Sequence, residues 1–588
     1  MTPRARSSEP FDYRPHVLRE YSLLADGERG AIIGPHGDVV WMCVPRWDSG
    51  AVFSTLIGGP GGFAITPQER FVWGGFYEEG SLIWRSHWVT GRGTIECREA
   101  LAMPADPHRA VLLRRVSTVN CDAALQMHLD PCAEYGEVPL TDLHRHGEVW
   151  TARAGELRIR LTGAGAARGA KSGASQRLHM PLTVPAGSDH DVALEISDEE
   201  LPEQPPSPPE LWRATEAAWQ AAVPTFEAGL DPRASRHSYA VLRGLTSASG
   251  GMVAAATTSL PERAEAGRNY DYRYFWMRDQ SFAGQAAAAA GGGDLLQDAV
   301  TFTTARLLEH GDRLAPAYTT TGDPVPDQRR LRLDGYPGGS DLIGNWVNKQ
   351  FQLDAFGEAL LLLAAAGRHR LDTDNWRAAE IAAEAIGKRW TEPDAGIWEI
   401  DDQPWTHSRL TSVAGLRAIS AHHPAPHKVA EWLALADRIT ADTASTSLHP
   451  DGHWQRSPTD PRTDGALLLP SLRGALPADD PRTIATLRAY TRELVVDGYA
   501  YRFRHDDRPL ADAEGSFVLC GFLMALATAA QGRRDEAIGW WERSRAACGP
   551  PMLLAEEYDV GENQMRGNLP QAFVHALLLE CSARLAAT

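Results

Sequence analysis

The stretch SDEELPEQPPSPPEL, residues Ser197–Leu211, separates two parts of the chain that follow different hydrophobic periods. Its five prolines, set among clustered acidic residues, remove backbone donors and fix φ, so neither helix nor ladder hydrogen-bonds well through it. It reads as a linker. On its amino-terminal side short runs such as AIIGPHGDVVWMCV, GSLIWRSHWV, GTIECREALAM, AVLLRRVSTV and ELRIRLTG alternate between Gly, Asp and Pro breaks. Period-two alternation with frequent turn signals predicts antiparallel strands in a β-sandwich. On its carboxyl-terminal side apolar residues recur at spacings of three and four in Ala-rich segments. These predict helices near 234–247, 279–291, 294–309, 345–366, 373–390, 405–421, 426–447, 463–473, 480–496, 514–531, 534–547 and 567–586. No repeat period of a solenoid is found, so the helices suit a double-layered (α/α)6 toroid. The expected organisation is an N-terminal antiparallel β-sandwich over 10–197, a linker with a helical segment over 198–230, and an (α/α)6 barrel over 231–588.

Composition narrows the partners. Hydrophobic residues at 43% and charged residues at 23% match a folded globular chain and exclude disordered and collagen-like classes. A net charge of −18 repels polyanions and acidic membrane surfaces, so a neutral small molecule is the expected partner, with no nucleic acid and no membrane. Homo-oligomerisation is left open. The longest apolar run, around Leu360–Gly367, is far short of the roughly 20 residues that span a bilayer, and the amino terminus has no apolar core of a secretory signal. A cytoplasmic location is expected. Seven scattered cysteines without a CxxC pair read as free thiols, and neither a metal nor a cofactor is expected.

The chain contains no GxxxxGK[ST], no GxGxxG between strand and helix, no HExxH and no GxSxG. The serines in GLTSASG and DGALLLPSL therefore read as turn and cap residues. Three segments between the helices crowd aromatic and charged residues together. In RNYDYRYFWMRD, Arg268–Asp279, Asp271 and Arg273 read as a charge-paired brace, whereas Trp276 offers an apolar platform for a sugar face and Arg278 and Asp279 offer hydrogen bonds to hydroxyls. In DAGIWEIDDQPWTHS, Asp394–Ser408, Glu399 follows Trp398, and a carboxyl desolvated against that indole would have a raised pKa. In PMLLAEEYDVGENQMRGNLPQAF, Pro551–Phe573, Glu556 and Glu557 follow an apolar run. Two separated carboxylates with aromatic platforms and hydroxyl-binding groups suggest glycoside hydrolysis.

At these segments the sequence resembles glycoside hydrolase family 15, the glucoamylase and bacterial or archaeal trehalase family. GDVVWMCVPRWDS, RNYDYRYFWMRD, GNWVNKQFQLDAFGE, GIWE with THS, DGYAYRFR, AEGSFVLCGF and EEYD with GNLPQAFVH all look like segments of that family. The resemblance implies a catalytic (α/α)6 barrel behind a β-sandwich and an inverting mechanism without a covalent intermediate. It matches Glu399 to the general acid and Glu556 to the general base. Trp276, Arg278 and Asp279 correspond to the grip on the terminal glucose, Trp398 lies beside the acid, Arg502 corresponds to a further sugar-binding arginine, and Glu557 occupies the position next to the base.

Two departures bear on substrate choice. The chain reads GGSDLIGN, with Asp341 near a position where relatives have arginine, and the aromatic expected after THS is missing. The expected function is exo-acting release of glucose from a small α-glucoside, trehalose first. The alternatives are a glucoamylase-type enzyme acting on short malto- or isomalto-oligosaccharides, and a carbohydrate-binding toroid without catalysis.

Overall fold

In Ala123–Asp130 the apolar residues Ala123, Leu125, Met127 and Leu129 are buried and their neighbours half-buried, the alternation of a strand with one face on a core. The computed structural model describes residues 14–172, 175–227, 229–262, 269–367, 371–505 and 508–587. Residues 10–13 of the expected sandwich and Arg268 of the aromatic segment lie outside the described residues. Two compact units result. The first comprises residues up to Glu78, Leu82–Trp219 and Leu331–Asp341, and the second Glu79–Ser81, Gln220–Arg330 and the chain from Leu342 onward.

The described residues of the first unit form two eight-stranded antiparallel sheets. One runs Ser22–Ala25, Gly30–Ile33, Asp38–Cys43, Gly62–Pro67, Ala123–Asp130, Ser175–Val184, Arg168–Ser172, with Ala51–Phe53 beside Asp38–Cys43. The other runs Thr141–His146, Val149–Ala154, Leu157–Thr162, Asp189–Ser197, Arg109–Thr118, Thr94–Leu101, Trp84–Thr90, Phe71–Tyr77. Their inner faces share one core that includes Phe63, Ile65, Trp84, Trp88, Leu112 and Met127. Asp341 is buried in this unit, where its carboxylate accepts the Arg332 and Leu333 amides at 2.6 and 3.1 Å, so it closes its own loop. The Gly335 amide donates to the Ile57 carbonyl at 3.0 Å, which places the Leu331–Asp341 loop with the strands rather than the helices.

The linker is shorter than its prolines suggest. Helix α1, Pro208–Ala222, begins inside it, because a proline in the first turn needs no intrahelical partner for its nitrogen.

Among the described residues of the second unit, six helices contact one another round a closed inner ring and six lie outside it. The outer members are α2 (Pro232–Gly244), α4 (Asp294–His310), α6 (Thr373–Arg389), α8 (Pro426–Ser447), α10 (Pro481–Leu494) and α13 (Arg534–Arg545). The inner members are α3 (Met277–Ala289), α5 (Asp354–Ala366), α7 (Thr406–Ser420), the single turn α9 (Leu469–Leu472), α12 (Val518–Ala530) and α14 (Ala572–Ala586). Another single turn, α11 (Leu510–Ala513), lies in the segment before α12. Inner helices such as α12, VLCGFLMALATAA, are apolar on every face, as a helix enclosed by others must be.

Several expected helices are shorter in the structure, those over 514–531 and 567–586 starting at Val518 and Ala572, and two differ more. The one expected over 345–366 begins only at Asp354, because the Leu353 amide is taken by the Asp394 carboxylate. The one expected over 463–473 is a 3-10 turn, Gly465–Leu468, and the single turn α9, with Pro470 inside it and Gly474 at φ 88° after it. All seven cysteines are free, and no helix among the described residues is long and apolar enough to cross a membrane.

Candidate active site

A cavity of about 270 Å³ lies among the segments that lead into the inner helices. Trp276 ends the short strand Phe275–Trp276 and caps α3, whose first turn carries Arg278 and Asp279. Trp346 and Gln350 precede α5, Trp398 and Glu399 precede α7, and Glu556 and Gln571 precede α14. Gln571 is the cap of α14 and accepts the Val574 amide at 2.9 Å. The cavity therefore sits at the amino-terminal end of the inner ring, where the sequence is free to vary without disturbing helix packing.

Glu399 Oε1 accepts three hydrogen bonds: from Trp276 Nε1 at 2.7 Å and from both terminal nitrogens of Arg278 at 3.3 Å. No described protein group hydrogen-bonds Oε2, which leaves that oxygen for a proton or a ligand. The Glu399 backbone is held at φ 53°, in the left-handed region that side chains other than glycine rarely adopt. The indole beside this carboxylate is thus Trp276, a donor. Trp398, expected to desolvate it, turns its Nε1 to Asp464 Oδ1 at 2.7 Å and sets its ring edge-on to Phe517 in the cavity wall. The donor comes from a distant segment, so adjacency in sequence did not identify it.

Glu556 lies in the cavity wall and accepts the Tyr272 hydroxyl at 3.0 Å. Burial pushes its carboxyl up to about 7, against the opposing pull of Arg502 and the Tyr272 hydrogen bond. The Tyr272 ring packs edge-on to Trp276 at 5.8 Å between centroids. Two aromatic residues therefore connect the two glutamates, Trp276 holding one and Tyr272 the other.

Asp279 is buried, with Oδ2 3.4 Å from Arg278 Nε, and burial raises its carboxyl to about 6 although Arg278 pulls it down. Burial opposes the charge of Arg278, but Asp279, Glu399 and Asp354 together hold the guanidinium above its ordinary value. Both side chains line the cavity, as does Arg502. The Arg502 Nε lies 2.9 and 2.8 Å from the two Glu514 carboxylate oxygens, so much of its bonding capacity is used within the wall. Asp271 and Arg273 form the expected brace, buried and joined by bonds of 2.9 and 2.7 Å.

Glu557 does not reach the cavity. It opens the strand Glu557–Asp559, and side chains alternate along an extended chain, so it points away from the side Glu556 faces and accepts the Gly515 amide at 2.8 Å. Burial and the charges of Glu514 and Glu262 hold its carboxyl well above the ordinary range. Glu262, Tyr272, Trp346 and Gln571 line the cavity although the sequence did not single them out. Tyr272 was visible as one of the alternating aromatics of its segment. Glu262 carried no local signal. Asp341 is absent from the lining.

The chain is similar to known proteins along most of its length. The description "Glycosyl hydrolases family 15" matches residues 237–583, and "Trehalase-like, N-terminal" matches residues 11–218. A trehalase of Mycolicibacterium smegmatis is 30% identical over 96% of this chain and 90% of its own length. A trehalase of Mycobacterium tuberculosis is 29% identical over 97% and 90%, and one of Thermoplasma acidophilum 26% identical over 94% and 98%. A solved bacterial glucoamylase complexed with acarbose superposes with a TM-score of 0.74 at 14% identity, over 97% of this chain and 94% of that one. That likeness speaks for the fold.

Proposed function

The chain belongs to glycosyl hydrolase family 15, and from that premise we propose that it hydrolyses trehalose with inversion, Glu399 acting as general acid and Glu556 as general base. The observation that carries the reading is the pair of glutamates in one cavity, each held by a different aromatic donor. Glu399, protonated at Oε2, gives its proton to the glycosidic oxygen as the bond from that oxygen to the anomeric carbon breaks. Glu556 takes a proton from the water that attacks the opposite face of the same carbon, which requires a separation of roughly 6.5–9.5 Å between the carboxyls. Glu399 ends ionised and Glu556 protonated, and exchange with solvent restores both.

Arg278 and Asp279 grip the hydroxyls of the reacting glucose, and Trp276 and Trp398 offer faces for its ring. The trehalases among its relatives support trehalose as the substrate. The net charge of −18 is compatible with a neutral sugar.

Stereochemistry tests this directly. Inversion of α,α-linked trehalose yields one β-glucose and one α-glucose, whereas retention yields only α-glucose. Proton NMR of the first products, before mutarotation, should therefore show equal amounts of both anomers. A parallel panel of trehalose, maltose, isomaltose, kojibiose and maltotriose should give the highest kcat/KM for trehalose. Faster release from maltotriose would replace this reading by the glucoamylase-type one, and no release by a binding toroid.

The pH profile gives a second check. The Tyr272 hydroxyl stabilises the ionised form of Glu556, so Tyr272→Phe raises the Glu556 carboxyl further above about 7. A base must be ionised to act, and the acid-side limb of kcat/KM should therefore move to higher pH. An unmoved limb would mean that Glu556 is not the titrating base.

A further inference from the structure

Asp394 lies five residues before Glu399 and is fully enclosed. Its Oδ2 accepts three hydrogen bonds: from the Leu353 amide at 3.2 Å, the Gly396 amide at 3.1 Å and the Ser408 hydroxyl at 2.8 Å. One carboxylate oxygen thus ties together the segment entering α5, the turn that carries Glu399, and the first turn of α7. The turn itself is closed by the Glu399 amide on the Gly396 carbonyl at 3.2 Å and the Ile400 amide on the Ala395 carbonyl at 3.2 Å. Gly396, held by Asp394, is therefore the near end of the backbone loop that puts Glu399 in its left-handed conformation.

A second enclosed carboxyl, Asp354, follows Leu353 directly, and its charge opposes that of Asp394. Asp354 is the first residue of α5; its own amide and that of Ala355 favour its charge, but neither of its oxygens nor Asp394 Oδ1 has a well-formed hydrogen bond among the described residues. Three buried acceptors without a well-formed hydrogen bond are costly, and two buried ionised carboxyls that feel each other's charge repel with little water to screen them. One proton held between the two would remove one negative charge and supply the missing donor.

The charged surroundings fit a single negative charge. From α3, Arg278 faces Asp354 and favours its ionised form. From the acid loop Glu399 opposes it, and one turn further along α5 lies Glu358, whose carboxyl feels the Asp354 charge. From α7 comes Ser408 and, next to it, His407, which burial keeps neutral by lowering it to about 3. Burial holds Asp354 above the ordinary carboxylate range, and burial together with the Asp354 charge does so for Asp394. Arg278 thus faces Asp354, and one of the two carboxyls can stay ionised.

We propose that Asp394 and Asp354 hold one proton between them and that Asp394 is the positioning residue that sets the turn presenting Glu399. This rests on Glu399 being the general acid. Asp394→Asn keeps an acceptor oxygen for the three donors and puts an amide N–H where the shared proton lies. Asp394→Ala removes both.

Two measurements test the proposal. The first is kcat and KM on trehalose and on α-glucosyl fluoride, whose leaving group needs little protonation. Asp394→Ala should lose about 10²-fold in kcat on trehalose, the effect of a misplacement of about 1 Å, and less than about tenfold on the fluoride. KM should change little, and Asp394→Asn should restore most of the loss.

The second is Tm against pH. A carboxyl held above its unfolded value contributes stability that is present below the ordinary carboxylate range and is lost as pH rises through its folded value. That contribution is absent in Asp394→Asn, so its Tm should fall less steeply than the wild type's from about pH 4 upward. An Asp394 that titrates alike in the folded and unfolded chain would leave this slope unchanged.

Equal losses on both substrates in Asp394→Ala, or a wild-type slope in Asp394→Asn, would overturn the proposal. Should Asp394→Ala not fold, the slope of Asp394→Asn and the trehalose-to-fluoride ratio of Ser408→Ala, which removes one of the three donors and should lose more on trehalose than on the fluoride, decide it. Failure of the acid assignment is separable, since Glu399→Gln would then lose equally on both substrates while the Asp394→Asn slope still changed.

Discussion

Glu399→Gln should lose about 10²–10⁴-fold on trehalose yet hydrolyse α-glucosyl fluoride at close to the wild-type rate, because the fluoride leaves without the proton the glutamine cannot give. Glu556→Gln should lose on both substrates, since water must still be deprotonated as it attacks. The contrast reports roles as well as importance. Rescue of Glu556→Gln alone would reverse the two assignments, and equal losses in both variants on both substrates would remove them. The structural ground for the asymmetry is the bonding of the two groups. Glu399 keeps Oε2 without a partner among the described residues, whereas Glu556 is buried and tied to Tyr272 at 3.0 Å.

Asp279→Ala should lower kcat/KM for trehalose by about 10²–10⁴-fold. Two hydrogen bonds from sugar hydroxyls to a charged acceptor are worth about 1.5–3 kcal/mol each, and Arg278 would lose the carboxylate 3.4 Å from its Nε. That guanidinium also donates to Glu399 at 3.3 Å, so its displacement would disturb the acid as well as the grip. Asp279→Asn, which keeps one acceptor oxygen, should lose less. Steady-state kinetics alongside thermal melting separate this from unfolding, and a loss below about tenfold with unchanged melting would show that no sugar is gripped there.

Several of these features are legible in the amino-acid sequence. The change of hydrophobic period across Ser197–Leu211 marks the passage from sheets to helices because burial on one face imposes a local pattern. The buried Asp271 and Arg273 pair was legible because its two members are two residues apart. What escaped was set by groups distant in sequence. Trp276 reaches Glu399 across 123 positions, so the nearer Trp398 looked like the partner. The start of α5 is fixed by Asp394, an acceptor 41 residues away from the amide it takes, and helical periodicity carries no record of such a competitor. Glu557 resembled a ligand only because it adjoins Glu556, and alternation along the chain turned it aside. Glu262 reaches the cavity from a segment that bears no motif.

The left-handed backbone at Glu399 bears on how such a molecule withstands selection. For residues other than glycine that conformation costs about 1–2 kcal/mol, and Glu399→Gly would recover much of it while deleting the carboxyl. A laboratory lineage chosen only for surviving heat would therefore be drawn towards glycine at this one position, becoming sturdier as it fell silent. Retention of glutamate there is a mark of pressure on turnover, and any campaign to harden this protein must screen for sugar cleavage in the same round.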